Sequence, residues 1–137
     1  MNPSTVTNSP WVYEDYNSKE ALIGNMYTGK WMLFYDMSIL DEKWNQVKLL
    51  LKQGKLGPCA KCSTAMPNFN ANNSNKVIIV YTSNYNDQED VFRVAKVLYD
   101  ELQYGKPMYY KTDEQTLSGS YRKTGSKKNH VYRYPSN

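Results

Sequence analysis

The chain has 137 residues, a formal net charge of +4, two cysteines and one histidine. This length suits one domain with its own hydrophobic core. The sequence has no apolar run of 18 residues and no signal-peptide pattern, so we expect a soluble protein without a membrane partner. We place it in the cytoplasm, with the nucleus as a second location.

Charge is unevenly distributed along the chain, and tyrosine is the commonest aromatic residue. Residues 106–137 carry seven basic and two acidic side chains, a net charge of +5. Such asymmetry is typical of a segment that contacts an anionic partner, or of a solvated basic surface. Tyrosine supplies 13 of the aromatic residues, and its ring with a polar tip suits both sheet faces and stacking surfaces.

We predict a flexible N-terminal arm over residues 1–25 and a single domain over 26–137. The domain begins with a strand, Trp31–Tyr35, and an amphipathic helix over about 39–53, with Ser38 as its N-cap. A strand over 56–64 and an asparagine-rich loop over 66–75 follow.

The domain is organised around residues 76–105. Val77–Tyr81 is a continuous β-branched and aromatic run, which indicates a strand buried on both faces. Asn86 and Glu89 have the spacing of a capping box, and a second amphipathic helix follows until Gly105.

Three shorter extended stretches close the chain, at 108–111, 117–122 and 131–134. Few helices and many short strands favour an α+β class with a mainly antiparallel sheet that has both helices on one face.

The two cysteines form a single Cys-Ala-Lys-Cys motif, Cys59 to Cys62. One pair and one distant histidine are too few ligands for a structural zinc site. The motif lies in a predicted strand rather than at a helix start, so we interpret both as reduced structural cysteines. We predict no metal and no cofactor.

Catalytic motifs are absent from the sequence. Asp113 and Glu114 are adjacent, so in a strand they point to opposite faces and do not converge on one atom. His130 is an isolated histidine near the end of the chain. A nucleotide phosphodiesterase using His130, Asp113 or Lys111 stays open as an alternative, but we favour a non-enzymatic protein.

The strongest indication of a ligand-binding site is a set of basic residues interleaved with tyrosines. Lysine and arginine bind phosphate, and aromatic rings stack on bases. If Lys61 and Lys111 share a sheet face, an anion between them would offset their repulsion. The alternative is that these side chains splay apart and solubilise a sheet edge.

Four stretches resemble one protein family when taken together and in order. They are Gly29–Phe34 with Leu40–Trp44; Leu56–Pro58 with Lys61, Ser63 and Thr64; Val80–Thr82 with Asp87, Glu89–Val91 and Arg93–Val94; and Tyr110–Lys111 with Asp113, Thr116, Gly119 and Tyr121. Over residues 29–136 this pattern is similar to the family named for a basophilic-leukaemia-expressed protein.

That resemblance implies the fold of the cap-binding initiation factor 4E, a curved antiparallel sheet backed by helices with a nucleotide pocket on its concave side. The cap binder holds its base between two loop tryptophans and reads the base edge with a glutamate. Here the loop 54–75 contains Phe69 but neither of those residue types. The resemblance therefore implies contacts to the phosphate groups of a nucleotide, from Lys61, Lys76 and the basic loop Arg122–Lys128.

We therefore predict that the protein binds a phosphate-bearing nucleotide or an RNA end in a concave basic and aromatic pocket. The predicted ligand-binding residues are Lys30, Trp31, Lys61, Ser63, Thr64, Lys76, Tyr109, Lys111, Thr116, Tyr121, Arg122 and Lys123. A protein partner on the exposed helical face is the other open alternative.

Overall fold

The computed structural model describes residues 2–15, 28–66, 75–112 and 132–135. Within these ranges a short 3-10 turn, Pro3–Thr5, precedes six strands and two α-helices. The strands are β1 (Trp11–Asp15), β2 (Gly29–Asp36), β3 (Cys59–Ser63), β4 (Asn75–Thr82), β5 (Met108–Thr112) and β6 (Tyr132–Tyr134). The helices are α1 (Met37–Lys52) and α2 (Gln88–Glu101).

The six strands form one sheet in the order β1-β3-β4-β2-β5-β6, and every neighbouring pair is antiparallel. β4 lies between β3 and β2, so a strand that the sequence predicts to be buried on both faces is central. Its residues Ile78, Ile79, Val80 and Tyr81 are all buried. The predicted class is confirmed: an α+β fold with a curved antiparallel sheet.

The main hydrophobic core lies between the sheet and the two helices. Trp44 and Val47 of α1 and Val94 and Leu98 of α2 are essentially inaccessible to solvent. Trp31 from β2 completes this core, and its indole Nε1 donates a hydrogen bond of 2.9 Å to the carbonyl of Val91. Both helices are amphipathic because they bury only this one stripe.

The helix N-caps differ from the predicted ones by one or two residues. Asp36 caps α1 by accepting from the backbone N–H of Ser38, where we predicted Ser38 as the cap. Asp87 caps α2 by accepting from the N–H of Asp90, where we predicted Asn86. In both cases an aspartate in a suitable non-helical conformation lies next to the predicted residue, and either residue type makes a good cap.

The N-terminal residues correct a second prediction. The predicted flexible arm covered residues 1–25, but residues 2–15 contain the 3-10 turn and β1, which pairs with β3 from Trp11↔Ser63 to Asp15↔Cys59. Ser4 anchors the turn to α1: its N–H donates to Oδ1 of Asp41 at 3.0 Å, and its hydroxyl donates to Oδ2. Residues 16–25 lie outside the described ranges.

The connection from α1 to β3 is held by α2. Arg93 donates from its guanidinium to the carbonyls of Lys55 and Leu56, at 2.8 and 3.2 Å. Asp90 accepts two further bonds from the same guanidinium. The Asp90–Arg93 part of the family motif therefore has a structural role, because it fixes a loop to a helix.

Candidate nucleotide-binding face

The two faces of the sheet differ in what covers them. Trp31, Leu33, Ile78, Val80 and Tyr110 belong to the core under α1 and α2. Because side chains alternate along a strand, their neighbours point to the opposite side. We call that side the lysine face. Its members include Trp11, Tyr13, Lys30, Met32, Lys61, Val77, Ile79, Tyr81, Tyr109, Lys111 and Arg133.

Two lysines of the lysine face stand directly opposite each other. Lys30 of β2 is the register partner of Lys111 of β5, and on its other side it is the partner of Tyr81 of β4. Directly opposed residues have Cβ atoms about 5 Å apart. Lys30 is only 8% exposed, so most of its side chain is covered by the protein.

A third lysine approaches from the neighbouring strands. The Nζ atom of Lys61 lies 4.1 Å from the centroid of the Trp11 ring and 5.9 Å from that of Tyr81. Both distances are within the range of cation–π attraction. Tyr81, which is buried, thus lies between Lys61 and Lys30 on this face of the sheet.

One row of this face runs across all six strands. The register pairs join Tyr13 to Lys61, Lys61 to Ile79, Ile79 to Met32, Met32 to Tyr109, and Tyr109 to Arg133. The row therefore alternates basic and aromatic residues around an apolar centre. Tyr13 and Tyr109 are 56% and 36% exposed, so their rings are accessible.

The two predicted hydroxyl donors bind to the protein itself. Ser63 Oγ accepts from the N–H of Val77 at 2.8 Å and donates to the carbonyl of the same residue at 3.3 Å. Thr64 is buried, donates to the carbonyl of Ser9 and accepts from the N–H of Met66. These contacts fasten strand ends and leave the hydroxyls turned toward backbone groups.

Trp31 and Lys76 lie on the other side of the sheet from the three lysines. Trp31 is 0% exposed inside the core. Lys76 is the register partner of the core residue Tyr35 and is 7% exposed. Strand alternation separates both from the lysine face, although the sequence groups them with it.

The remaining predicted residues, Thr116, Tyr121, Arg122 and Lys123, lie outside the described ranges. Asp113 and His130, named for a catalytic alternative, lie outside them as well. Of the predicted set, the structure brings Lys30, Lys61, Tyr109 and Lys111 onto one face.

Sequence reasoning missed three members of this face, Trp11, Tyr13 and Arg133. Trp11 and Tyr13 were assigned to a flexible arm, and Arg133 was counted only in the basic balance of the C-terminal third. The sequence did contain a signal for this strand. In a strand, Trp11, Tyr13 and Asp15 would lie on one face and Val12 on the other, which is the pattern of a strand with two different faces.

Other chemistry is sparse in the part of the chain that the structure describes. No group of three or more His, Cys, Asp or Glu side chains could hold a metal ion there. Cys59 and Cys62 are buried thiols outside any disulfide, on opposite faces of β3.

Two open clefts of about 290 and 420 Å³ lie around Gly57, Asp87 and Asp90, away from the lysine face. No helix in the described ranges is long and apolar enough to cross a membrane.

The same fold occurs in solved cap-binding proteins. Ascaris suum eIF4E-3, solved with an m2,2,7G cap, is 17% identical with a TM-score of 0.60 over 82% of this chain. A schistosome eIF4E, solved with m7GpppA and 4E-BP, is 14% identical with a TM-score of 0.68 over 97% of this chain and 74% of its own. C. elegans eIF4E-3, solved with the 4E-binding protein Mextli and a cap analog, is 15% identical with a TM-score of 0.58 over 69% of this chain and 55% of its own.

These TM-scores establish a shared fold. The chain spans 60% of the length of the Ascaris protein. The predicted likeness to the initiation factor 4E fold is confirmed at that level. A family model described as basophilic leukemia-expressed protein Bles03 matches residues 17–117, which is most of the sequence. The motifs at Gly29, Gly57, Asp90 and Lys111 all fall inside that match, and the chain belongs to the Bles03 family.

Proposed function

We propose that the protein binds the phosphate groups of a nucleotide or an RNA end on its lysine face, without turnover. The observation that carries this proposal is the direct opposition of Lys30 and Lys111 on β2 and β5, with Tyr109, which is 36% exposed, two residues from Lys111 on the same face. Two ammonium groups and an aromatic ring supply what a phosphate and its base require.

The electrostatics of the pair favour an anion. Like charges directly opposite each other in a sheet are destabilising. Their Coulomb repulsion is stronger near the protein than in bulk water, because the effective dielectric constant is lower. A phosphate that contacts both ammonium groups is attracted to each of them.

The solved structures of the same fold support the proposal by analogy. The Ascaris protein holds a methylated cap, and the schistosome protein holds m7GpppA. The analogy concerns the fold and the class of ligand, while the chemistry proposed here comes from this chain's own lysines.

The test measures nucleotide affinity with and without one of the paired lysines. Isothermal titration calorimetry with mononucleotides and cap analogues, at low and at moderate salt, compares the wild type with Lys111→Gln. Loss of a charge-assisted hydrogen bond costs about 1.5–3 kcal/mol, so we expect the dissociation constant to rise roughly ten- to 150-fold. The dependence on salt should also become weaker, since fewer phosphate charges are neutralised.

Lys52→Gln is the matched control. It removes the same charge from an exposed site in the last turn of α1, on the far side of the sheet. Equal affinity in the wild type and Lys111→Gln, or an equal loss in both variants, would contradict the proposal.

A protein partner on α1 is the second candidate, because α1 exposes apolar side chains. Leu49 is 58% exposed and Ile39 is 42% exposed. The schistosome and C. elegans structures of this fold contain a 4E-binding protein. If a partner helix docks on α1, Leu49→Lys should abolish its capture while leaving nucleotide affinity unchanged, and retained capture would remove this candidate.

A further inference from the structure

We infer that the lysine face takes a single-stranded RNA segment of about four nucleotides that runs across the strands, so that its ligand extends beyond one nucleotide. The inference rests on the proposed function and specifies the size and path of the ligand. It comes from the row Tyr13–Lys61–Ile79–Met32–Tyr109–Arg133, which is continuous from one edge strand to the other.

The distance between the exposed rings sets the ligand length. Tyr13 lies on β1 and Tyr109 on β5, four strands away in the sheet order. Neighbouring strands are about 4.8 Å apart, so these residues are roughly 19 Å apart along the sheet. Because the two bases stack on separate rings and not on each other, the strand between them is extended, at roughly twice the 3.4 Å rise per nucleotide of a stacked strand. About three such steps, and therefore about four nucleotides, span the two rings, which one nucleotide cannot reach.

The side chains along the row alternate between two kinds of contact. Tyr13 and Tyr109 each present an exposed ring on which a base can stack. Lys61 is the register partner of Tyr13, and Arg133 is the register partner of Tyr109. Each ring therefore has a cation directly opposite it, which is the pairing that one base and its phosphate need.

The centre of the row differs from its ends. Ile79 is 7% exposed and belongs to a small apolar cluster with Cys59 and Tyr81. The side chains of Ile79 and its register partner Met32 have no N–H or O–H group that could select among bases. Binding should therefore depend on strand length and on phosphate charge, with little base preference.

The charge of this face suits an anionic strand along its middle. The described residues place Lys30, Lys61, Lys111 and Arg133 on it, while Asp15 and Asp36 occupy strand ends at its margin. Asp36 is already committed to the N-cap of α1.

The experiment is a fluorescence-anisotropy competition with 5′-phosphorylated oligouridylates of one, two, four and six nucleotides. We expect affinity to rise with length up to about four nucleotides and then to level off. Tyr13→Ala and Tyr109→Ala should each weaken binding of the tetranucleotide roughly five- to 150-fold, which corresponds to ~1–3 kcal/mol per stacked base. Tyr13→Ala should leave the affinity for uridine monophosphate unchanged, because β1 lies three strands from β2 and four from β5 in the sheet order.

Leu49→Ala on α1 is the control, because it removes an exposed apolar side chain from the opposite side of the sheet. Affinity that is the same for one and for four nucleotides, or tyrosine variants that bind the tetranucleotide as the wild type does, would overturn the inference. If uridine monophosphate binds through Lys111 but longer oligouridylates bind no more tightly, only this inference fails. If no phosphorylated ligand binds at all, the proposed function fails with it.

Discussion

Gly57 lies directly against the backbone of β4, in the loop that leads into β3. A Cβ atom at this position would lie 2.2 Å from the carbonyl oxygen of Tyr81. Backbone atoms of a central strand cannot move aside as the end of a flexible side chain can, so the position requires glycine. The Gly57 of the family motif is thus explained by packing.

Gly57→Ala should therefore lower the free energy of unfolding by about 1–3 kcal/mol, the usual cost of overpacking. Urea denaturation measures this change. Lys55→Ala, an exposed position in the same loop, should stay within about 0.5 kcal/mol of the wild type. Equal stability of the two variants would show that β4 yields and that the close approach is not required.

Cys62 responds to pH through its burial. Burial, with a smaller contribution from the charge of Asp41, raises the pKa of its thiol to about 12 from an ordinary value of 9.0. Between these values the unfolded chain loses the thiol proton while the native protein keeps it, so the native state binds more protons and stability falls as pH rises. Below pH 9 the contribution is constant.

The expected slope is up to about 1.4 kcal/mol per pH unit in that window. The measurement is the free energy of unfolding from urea titrations at several pH values between 9 and 12. Burial also raises the pKa of Tyr35, which acts in the same direction, so the informative quantity is the difference from Cys62→Ala. That variant should lose stability less steeply with pH, and parallel curves would refute the assignment.

At the scale of elements, local pattern predicts what local forces determine. Both helices follow from apolar spacing over a dozen residues and β4 from a run of five β-branched and aromatic residues, and the structure confirms them within about three residues at their ends. The caps differ from the predicted ones because Asp36 and Asp87 accept the backbone N–H groups of Ser38 and Asp90, and aspartate caps a helix as well as serine or asparagine does.

β1 could not be predicted in the same way. Its partner β3 is about 50 residues away, since Trp11 pairs with Ser63. A five-residue strand gains its stability from that distant pairing, and its own sequence gives only a weak signal.

The candidate site shows the same difference between what local sequence patterns predict and what distant strand pairing determines. Cys59, Lys61 and Ser63 share a face of β3, as the alternation of side chains along any strand requires. The opposition of Lys30 and Lys111 depends on β2 pairing with β5, across an intervening helix, two strands and a second helix. Lys76 was grouped with them from its charge, while the register of β4 places it beside Tyr35 on the helix side.

At the scale of the whole molecule, the N-terminal residues complete both faces of the sheet. Val6 is buried, Ser4 bonds to Asp41 of α1, and the ring of Trp11 covers Lys61. Without them β3 would become the edge of the sheet, and an uncovered edge strand offers unpaired backbone groups to other chains.

Stepwise truncation separates these contributions. Removal of residues 1–10 should lower the urea midpoint, because it deletes the Ser4–Asp41 contact and the buried Val6. Removal of residues 1–25 should lower it further, since β1 is lost, and the m-value should fall because less surface is buried in the native state. If residues 26–137 alone unfold at the same urea concentration as the full chain, residues 2–15 are an appendage and the sheet is complete without β1. A stepwise loss would instead place the N-terminal boundary of the domain before Ser4, and would make Trp11 and Tyr13 structural parts of the face that we propose binds RNA.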